Sequence, residues 1–319
     1  MSISFVMGGH VAGDPAVLDE FCARYPLIHR AFEDAARSTG VPVAEIRSGA
    51  ARQELESGMQ DTVSKLAQAA LIIGMHDVLV AHGIRPRAVG GLSLGSRISA
   101  YLAGSVSRSE LFAMLHHERL VPPPAGPPQG LAALVLPQTD DPAEYYGPRR
   151  SGIHLACDHG PARDGECRRV LVGGYLDALA DLSKALPPES FRMLELYEGA
   201  YHTPLAGHFT DFMTPYIARM TFNDPLITLA VPNEQGPLTT ADQVRISYIE
   251  HGVTSVRMDL LLEQLAEAGV QTVITLGPGL AHGLSVAPME LIRVREPGDL
   301  SSVLATLGHS GEGAATDAE

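Results

Sequence analysis

The chain has 319 residues, of which 45% are hydrophobic, and carries 23 basic against 37 acidic side chains, a formal net charge of −14 with the histidines neutral. That balance argues against a nucleic-acid partner, because phosphates are held by clustered lysine and arginine. No uninterrupted run of about 18 apolar residues marks a membrane span, and Met1-Ser2-Ile3-Ser4-Phe5-Val6 lacks the basic and apolar pattern of a secretory leader. Three scattered cysteines, Cys22, Cys157 and Cys167, form no metal-type pair and fit free thiols in a reducing compartment. A soluble, cytoplasmic enzyme without a metal is the expectation.

In chain order, Ser2 to Met7 reads as a short buried strand closed by Gly8-Gly9, and residues from Asp14 to about Gly83 read as mostly helical. The strongest helical spacing runs from Met59 to Val80. Ala88-Val89-Gly90-Gly91 reads as a strand ending on glycines, followed by a helix to about Leu102. The proline-rich stretch Val121 to Pro128 continues neither a helix nor a central strand and is the clearest linker. Beyond it, strands are expected at Leu131–Leu136, Gly152–Ala156, Arg169–Val172 and Phe191–Leu196, with a helix at Asp177–Ala185. The chain then returns to helix (Leu205–Arg219), strand (Leu226–Val231), helix (Met258–Ala268) and strand (Val270–Leu276), and the small polar tail Gly311–Glu319 reads as disordered. Strand–helix alternation at both ends with a compact insert between them suggests an α/β core interrupted by a small α+β unit.

Gly91-Leu92-Ser93-Leu94-Gly95 is a G-x-S-x-G sequence between a strand and a helix, the setting that a nucleophile elbow needs. The turn holds the serine in a strained conformation, and the helix start offers free amides to a developing oxyanion. A serine nucleophile needs a base, and thirteen histidines compete for that role. His282 and His309 would suit the usual order of acid then late histidine, but His309 lies near the tail. His202, in Tyr201-His202-Thr203-Pro204-Leu205, sits where the chain returns from the insert to the core.

These motifs together resemble the malonyl-CoA:acyl carrier protein transacylase-type acyltransferases over nearly the whole length. Gly83-Ile84-Arg85-Pro86 through Gly95 is similar to the family's pattern around its serine, and Gln68-Ala69-Ala70-Leu71 to its upstream helix. His202-Thr203-Pro204-Leu205 resembles its histidine motif, Val256-Arg257-Met258 its V-R-W, and Leu276-Gly277-Pro278-Gly279 its late G-P-G turn. The resemblance implies an α/β-hydrolase-like large domain (residues 1–126 and 199–319) with an inserted ferredoxin-like small domain (residues 127–198). It implies acyl transfer through an acyl-serine on Ser93 with His202 as base, oriented by a main-chain carbonyl near Thr254. Backbone amides of Leu94 and of the loop Gly8-Gly9-His10-Val11, with His10 at the usual glutamine, would form the oxyanion hole. No cofactor would be bound permanently; the phosphopantetheine thioester of an acyl carrier protein or of CoA would be the substrate arm, and a monomer is expected.

Four positions depart from the pattern. Leu92 replaces the histidine before the nucleophile, His10 replaces the loop glutamine, and the small-domain asparagines fall near Cys157 and His159. The arginine expected 25 residues after the serine, which forks onto a malonyl carboxylate, is Glu118. A non-malonyl acyl group follows as an expectation, with Glu118 facing the amine of an amino-acyl or peptidyl chain. Two alternatives are that Arg119, one place on, restores malonyl binding, and that Glu118 faces solvent on its helix while Leu115, His116 and Leu92 merely widen an apolar pocket. Gly9, Leu92, Glu118, His159 and Thr254 are thus the expected substrate contacts. Hydrolysis of stalled acyl carriers is a second function on the same residues, and a degenerate docking module a third. Acidic carrier proteins call for a locally basic face, for which Arg97, Arg149, Arg150, Arg168 and Arg169 are candidates.

Overall fold

The structure, a computed structural model, describes residues 2–48, 57–162, 165–195, 198–280 and 285–308. Five parallel strands form the central sheet: β1 (Ile3–Met7), β2 (Ala88–Gly91), β7 (Thr228–Ala230), β9 (Thr272–Leu276) and β10 (Glu290–Val294), in the order β10-β9-β1-β2-β7. β1, β2 and β9 are buried along their whole length, as short apolar runs covered on both faces by helices must be. The covering helices are α1 (Pro15–Arg24), α2 (Pro26–Thr39), α3 (Val43–Ser48), α4 (Ser57–Ala81), α5 (Leu94–Leu102), α6 (Arg108–His117), α8 (Gly207–Ile217), α9 (Ala241–Glu250), α10 (Met258–Glu267) and α11 (Pro297–Leu307).

Among the described helices α4 is long and apolar enough to cross a membrane, although polar residues interrupt its apolar run; most of it is buried inside the protein. It packs so closely on α2 that a Cβ on Gly74 would stand 2.5 Å from the Ile28 Cα.

The insert forms a second sheet from β3 (Gln129–Pro137), β4 (Ile153–Ala162), β5 (Cys167–Tyr175) and β6 (Phe191–Met193), with α7 (Leu176–Lys184) against it. The strands are antiparallel in the order β6-β3-β5-β4. A fifth strand, β8 (Val256–Arg257), joins this sheet from far outside the insert, pairing in parallel with Cys157 and Asp158. The small sheet is therefore stitched to the large unit.

Val121 to Pro128 contains no helix or strand, as its prolines require. Most expected elements are present with ends shifted by a few residues; the Leu205–Arg219 helix begins as a 3-10 turn at Pro204–Ala206. β10 and α11 have no counterpart in the sequence reading. β10 buries only Val294 fully, so neither an apolar run nor an alternation marks it. The expected disordered tail, the end of the Phe191–Leu196 strand, His282 and His309 lie outside the described residues. Cys22, Cys157 and Cys167 are free and buried.

Candidate active site

At the carboxyl end of β2 the chain turns sharply into α5, with Ser93 between them at φ 52° and ψ −120°. A non-glycine residue at positive φ is strained and persists only where its surroundings fix it. The flanking glycines do so here: a Cβ on Gly91 would stand 2.8 Å from the Met7 carbonyl oxygen, and one on Gly95 only 2.4 Å from it. Leu94 opens the helix, so its N–H has no carbonyl a turn earlier to bond. Ser93 Oγ lies 2.8 Å from His202 Nε2.

His202 is also at positive φ, 62°, and its N–H donates to the Gly252 carbonyl at 2.7 Å. The next residue, Thr203, caps the following turn, accepting from Leu205 N–H and donating to the Ala200 carbonyl at 2.6 Å. The His202 ring meets the His251 ring edge-on at 5.0 Å. Burial pushes the His202 ring down to about 4, against the pull of the His251 and Thr254 carbonyls and with help from the Arg97 charge. Nδ1 is buried and makes no close hydrogen bond, and those carbonyls rather than a carboxylate lie beside the ring. A neutral imidazole next to a strained hydroxyl can take its proton.

The loop after β1 approaches from the other side. A Cβ on Gly9 would stand 3.6 Å from the Ser93 Cβ. Gln68 of α4 clamps this loop, donating to the Gly9 carbonyl and accepting from Val11 N–H, both at 2.9 Å. His10 Nε2 lies 2.9 Å from Ser64 Oγ.

Glu118 caps α6, and its placement corrects the expected amine contact. The carboxylate, 7% exposed, pairs with Arg97 through one oxygen and with Lys65 Nζ at 3.1 Å through the other. Both oxygens are thus engaged by the protein's own cations. Arg97, expected on a docking face, is 2% exposed. Its guanidinium lies 5.9 Å from the Phe209 ring and 5.6 Å from the Tyr248 ring, and a residue so enclosed cannot touch another protein. Arg119 is exposed and donates from Nε to His116 Nε2 at 3.1 Å.

Leu92 is buried in an apolar cluster with Cys157 and Val256, where it packs the core. His159, on β4, is pushed down to about 4 by burial. Of the other docking candidates, Arg149 pairs with Glu144 and Arg168 with Asp158; Arg150 donates to the Glu144 carbonyl at 3.3 Å. Arg168 and Arg169 are neighbours on β5, and successive strand side chains point to opposite faces, so they do not form one patch.

Sequence reasoning passed over Asp61, Ser64 and Lys65. Their signal was present: polar residues at 61, 64, 65 and 68 share one face of a largely apolar helix.

Solved structures share this architecture. A malonyl-CoA:ACP transacylase from Synechocystis sp. superposes with a TM-score of 0.77 at 20% identity, covering 95% of this chain and 100% of that one. The chain has the fold of malonyl-CoA:acyl carrier protein transacylases. That fold pairs an α/β-hydrolase-like domain with a ferredoxin-like one, as expected. Among curated proteins the malonyl CoA-acyl carrier protein transacylase of Escherichia coli is 21% identical over 294 residues, 86% of this chain and 89% of that protein. A polyunsaturated fatty acid synthase polypeptide from a Thraustochytrium species is 22% identical over 220 residues, 67% of this chain but 8% of that protein. Several polyketide synthases also match, and the chain spans about a tenth or less of their length. No protein-family model matches. On the transacylase fold, Ser93 and His202 stand at the elbow and on the facing loop, at the carboxyl ends of the central strands.

Proposed function

We propose that the protein is an acyltransferase that moves an acyl group between phosphopantetheine thioesters by way of an acyl-serine. The observation that carries this reading is the Ser93–His202 contact at 2.8 Å on a strained elbow. His202 Nε2 accepts the Ser93 proton as Oγ attacks the thioester carbon. The Leu94 and His10 amides stabilise the oxyanion, and the collapsing intermediate expels the thiolate, which takes the proton from His202. A second phosphopantetheine thiol reverses these steps and carries the acyl group away. The substrate arm comes from an acyl carrier protein or CoA, as the names of the E. coli and Synechocystis relatives suggest. The enzyme works as a cytoplasmic monomer and docks the carrier through Arg149 and Arg150.

The acyl group is not malonyl in this reading. Where an arginine fork would hold the free carboxylate, Glu118 is paired internally, and losing a charge-assisted bond costs about 2–3 kcal/mol. Amino-acyl or peptidyl groups remain candidates, but with Glu118 already neutralised their amine has to be read elsewhere.

The test is incubation with a panel of acyl-carrier proteins and acyl-CoAs, following the intact mass of wild type against Ser93→Ala. A covalent acyl adduct that Ser93→Ala lacks, discharged onto a second carrier protein, is the expected result. Release of free acid with no transfer would make the protein a hydrolase, and malonyl loading as efficient as any other would refute the non-malonyl assignment.

A further inference from the structure

We propose that the His10 side chain, held between Asp61 and Ser64 of α4, is a positioning residue that fixes the oxyanion loop against Ser93. The proposal rests on the acyl-serine reading above and concerns how its hole is built. Three side chains of one α4 face reach the loop. Gln68 holds it on both sides of His10, at the Gly9 carbonyl and the Val11 N–H. Ser64 Oγ lies 2.9 Å from His10 Nε2, and Asp61 Oδ1 lies 3.3 Å from His10 Nδ1. Positions 61, 64 and 68 are one and two turns apart, so a single rigid helix sets all three contacts.

The roles of the two ring nitrogens follow from their partners. Asp61 is a carboxylate and can only accept, so Nδ1 carries the proton and Nε2 accepts from the Ser64 hydroxyl. Burial keeps the ring neutral by pushing it down to about 4, although Asp61 opposes this. The second Asp61 oxygen receives Lys65 Nζ at 2.6 Å, and Lys65 also pairs with Glu118. The anchor is thereby charge-balanced without a second proton on the imidazole. A buried ring hydrogen-bonded through Nε2 and set with Nδ1 beside the Asp61 carboxylate leaves the His10 main chain few torsions to explore. An amide donor fixed in advance needs no reorganisation as charge develops, which is where such donors gain their effect.

The experiment compares wild type with Asp61→Ala, Ser64→Ala, His10→Ala and His10→Asn in single-turnover acylation of Ser93 by an acyl N-acetylcysteamine thioester, read by intact mass. Asp61→Ala and His10→Ala should slow the saturating rate about 10- to 100-fold with the half-saturating concentration unchanged. His10→Asn, whose amide can still donate to Asp61, should recover part of that loss; a group that only filled space would give no such split and no such rescue. Nitrogen-15 spectra of the histidine rings supply a readout that does not depend on the variants folding: His10 should be neutral and protonated on Nδ1 from pH 8 to 5. Wild-type saturating rates in folded Asp61→Ala and His10→Ala, or a His10 proton on Nε2, would overturn the proposal. A wild type that never acylates Ser93 overturns the acyl-serine reading and the oxyanion role together.

Discussion

Ser93 and His202 both adopt positive φ, and a serine or histidine holds that conformation only where neighbouring structure compensates. For His202 part of the compensation is the bond from its N–H to the Gly252 carbonyl. The pH dependence of acylation tests the role of the ring. The base must be neutral, and its depressed pKa places loss of the neutral form near 4 instead of 6.5. The saturating acylation rate should therefore stay level from pH 8 to about 5 and fall only as pH approaches 4; a limb centred at 6.5 would contradict this environment for His202. Glu118 makes a stability prediction of its own. Glu118→Gln leaves Arg97 buried without a carboxylate and Lys65 with Asp61 alone, at a cost of about 3–5 kcal/mol measurable by urea unfolding. The absence of arginine at 118 was legible in the sequence. The partners of Glu118 were not, because Lys65 and Arg97 lie 53 and 21 residues away and no local spacing links them.

At the scale of elements, the elbow depends on three features that meet at one turn: buried β2, the dipolar start of α5 and the glycines between them. Gly95→Ala would bring a Cβ to 2.4 Å from the Met7 carbonyl oxygen and 2.7 Å from that of Gly8, both rigid backbone. It should destabilise the fold by more than about 3 kcal/mol, seen as a fall in thermal midpoint, and should abolish acylation together with it. The elbow was readable because its requirements are contiguous in sequence. α4 shows the opposite case. Its apolar periodicity announced a core helix, whereas its polar stripe gained meaning only when the loop at Gly9–Val11 and the end of α6 were seen to lie against it.

For the whole molecule, net charge is a poor guide to acid behaviour. His10, His159, His202 and His251 are all held neutral by burial, the first three down to about 4 and the last well below its ordinary range. Between pH 6.5 and about 4 the unfolded chain binds protons at these sites that the folded chain does not. Stability therefore rises with pH across this window and is lost on acidification through it. Urea midpoints should fall steadily from pH 6.5 to 4. Replacing His159 with Gln should flatten part of that fall; an unchanged slope would mean that His159 is not held neutral.

The sequence by itself determined the α/β core, the linker at 121–128 and the elbow at Ser93. Each is written in neighbouring residues whose conformational demands are local: apolar runs, prolines that cannot continue a helix, and glycines where backbones nearly touch. Tertiary structure alone decided which charges meet. It turned Arg97 from a surface residue into a buried partner of Glu118, made Arg168 an internal partner of Asp158, and brought β8 across to the small sheet. Ion pairs and sheet edges are formed between segments far apart in the chain, so their energies depend on distances that no residue spacing records.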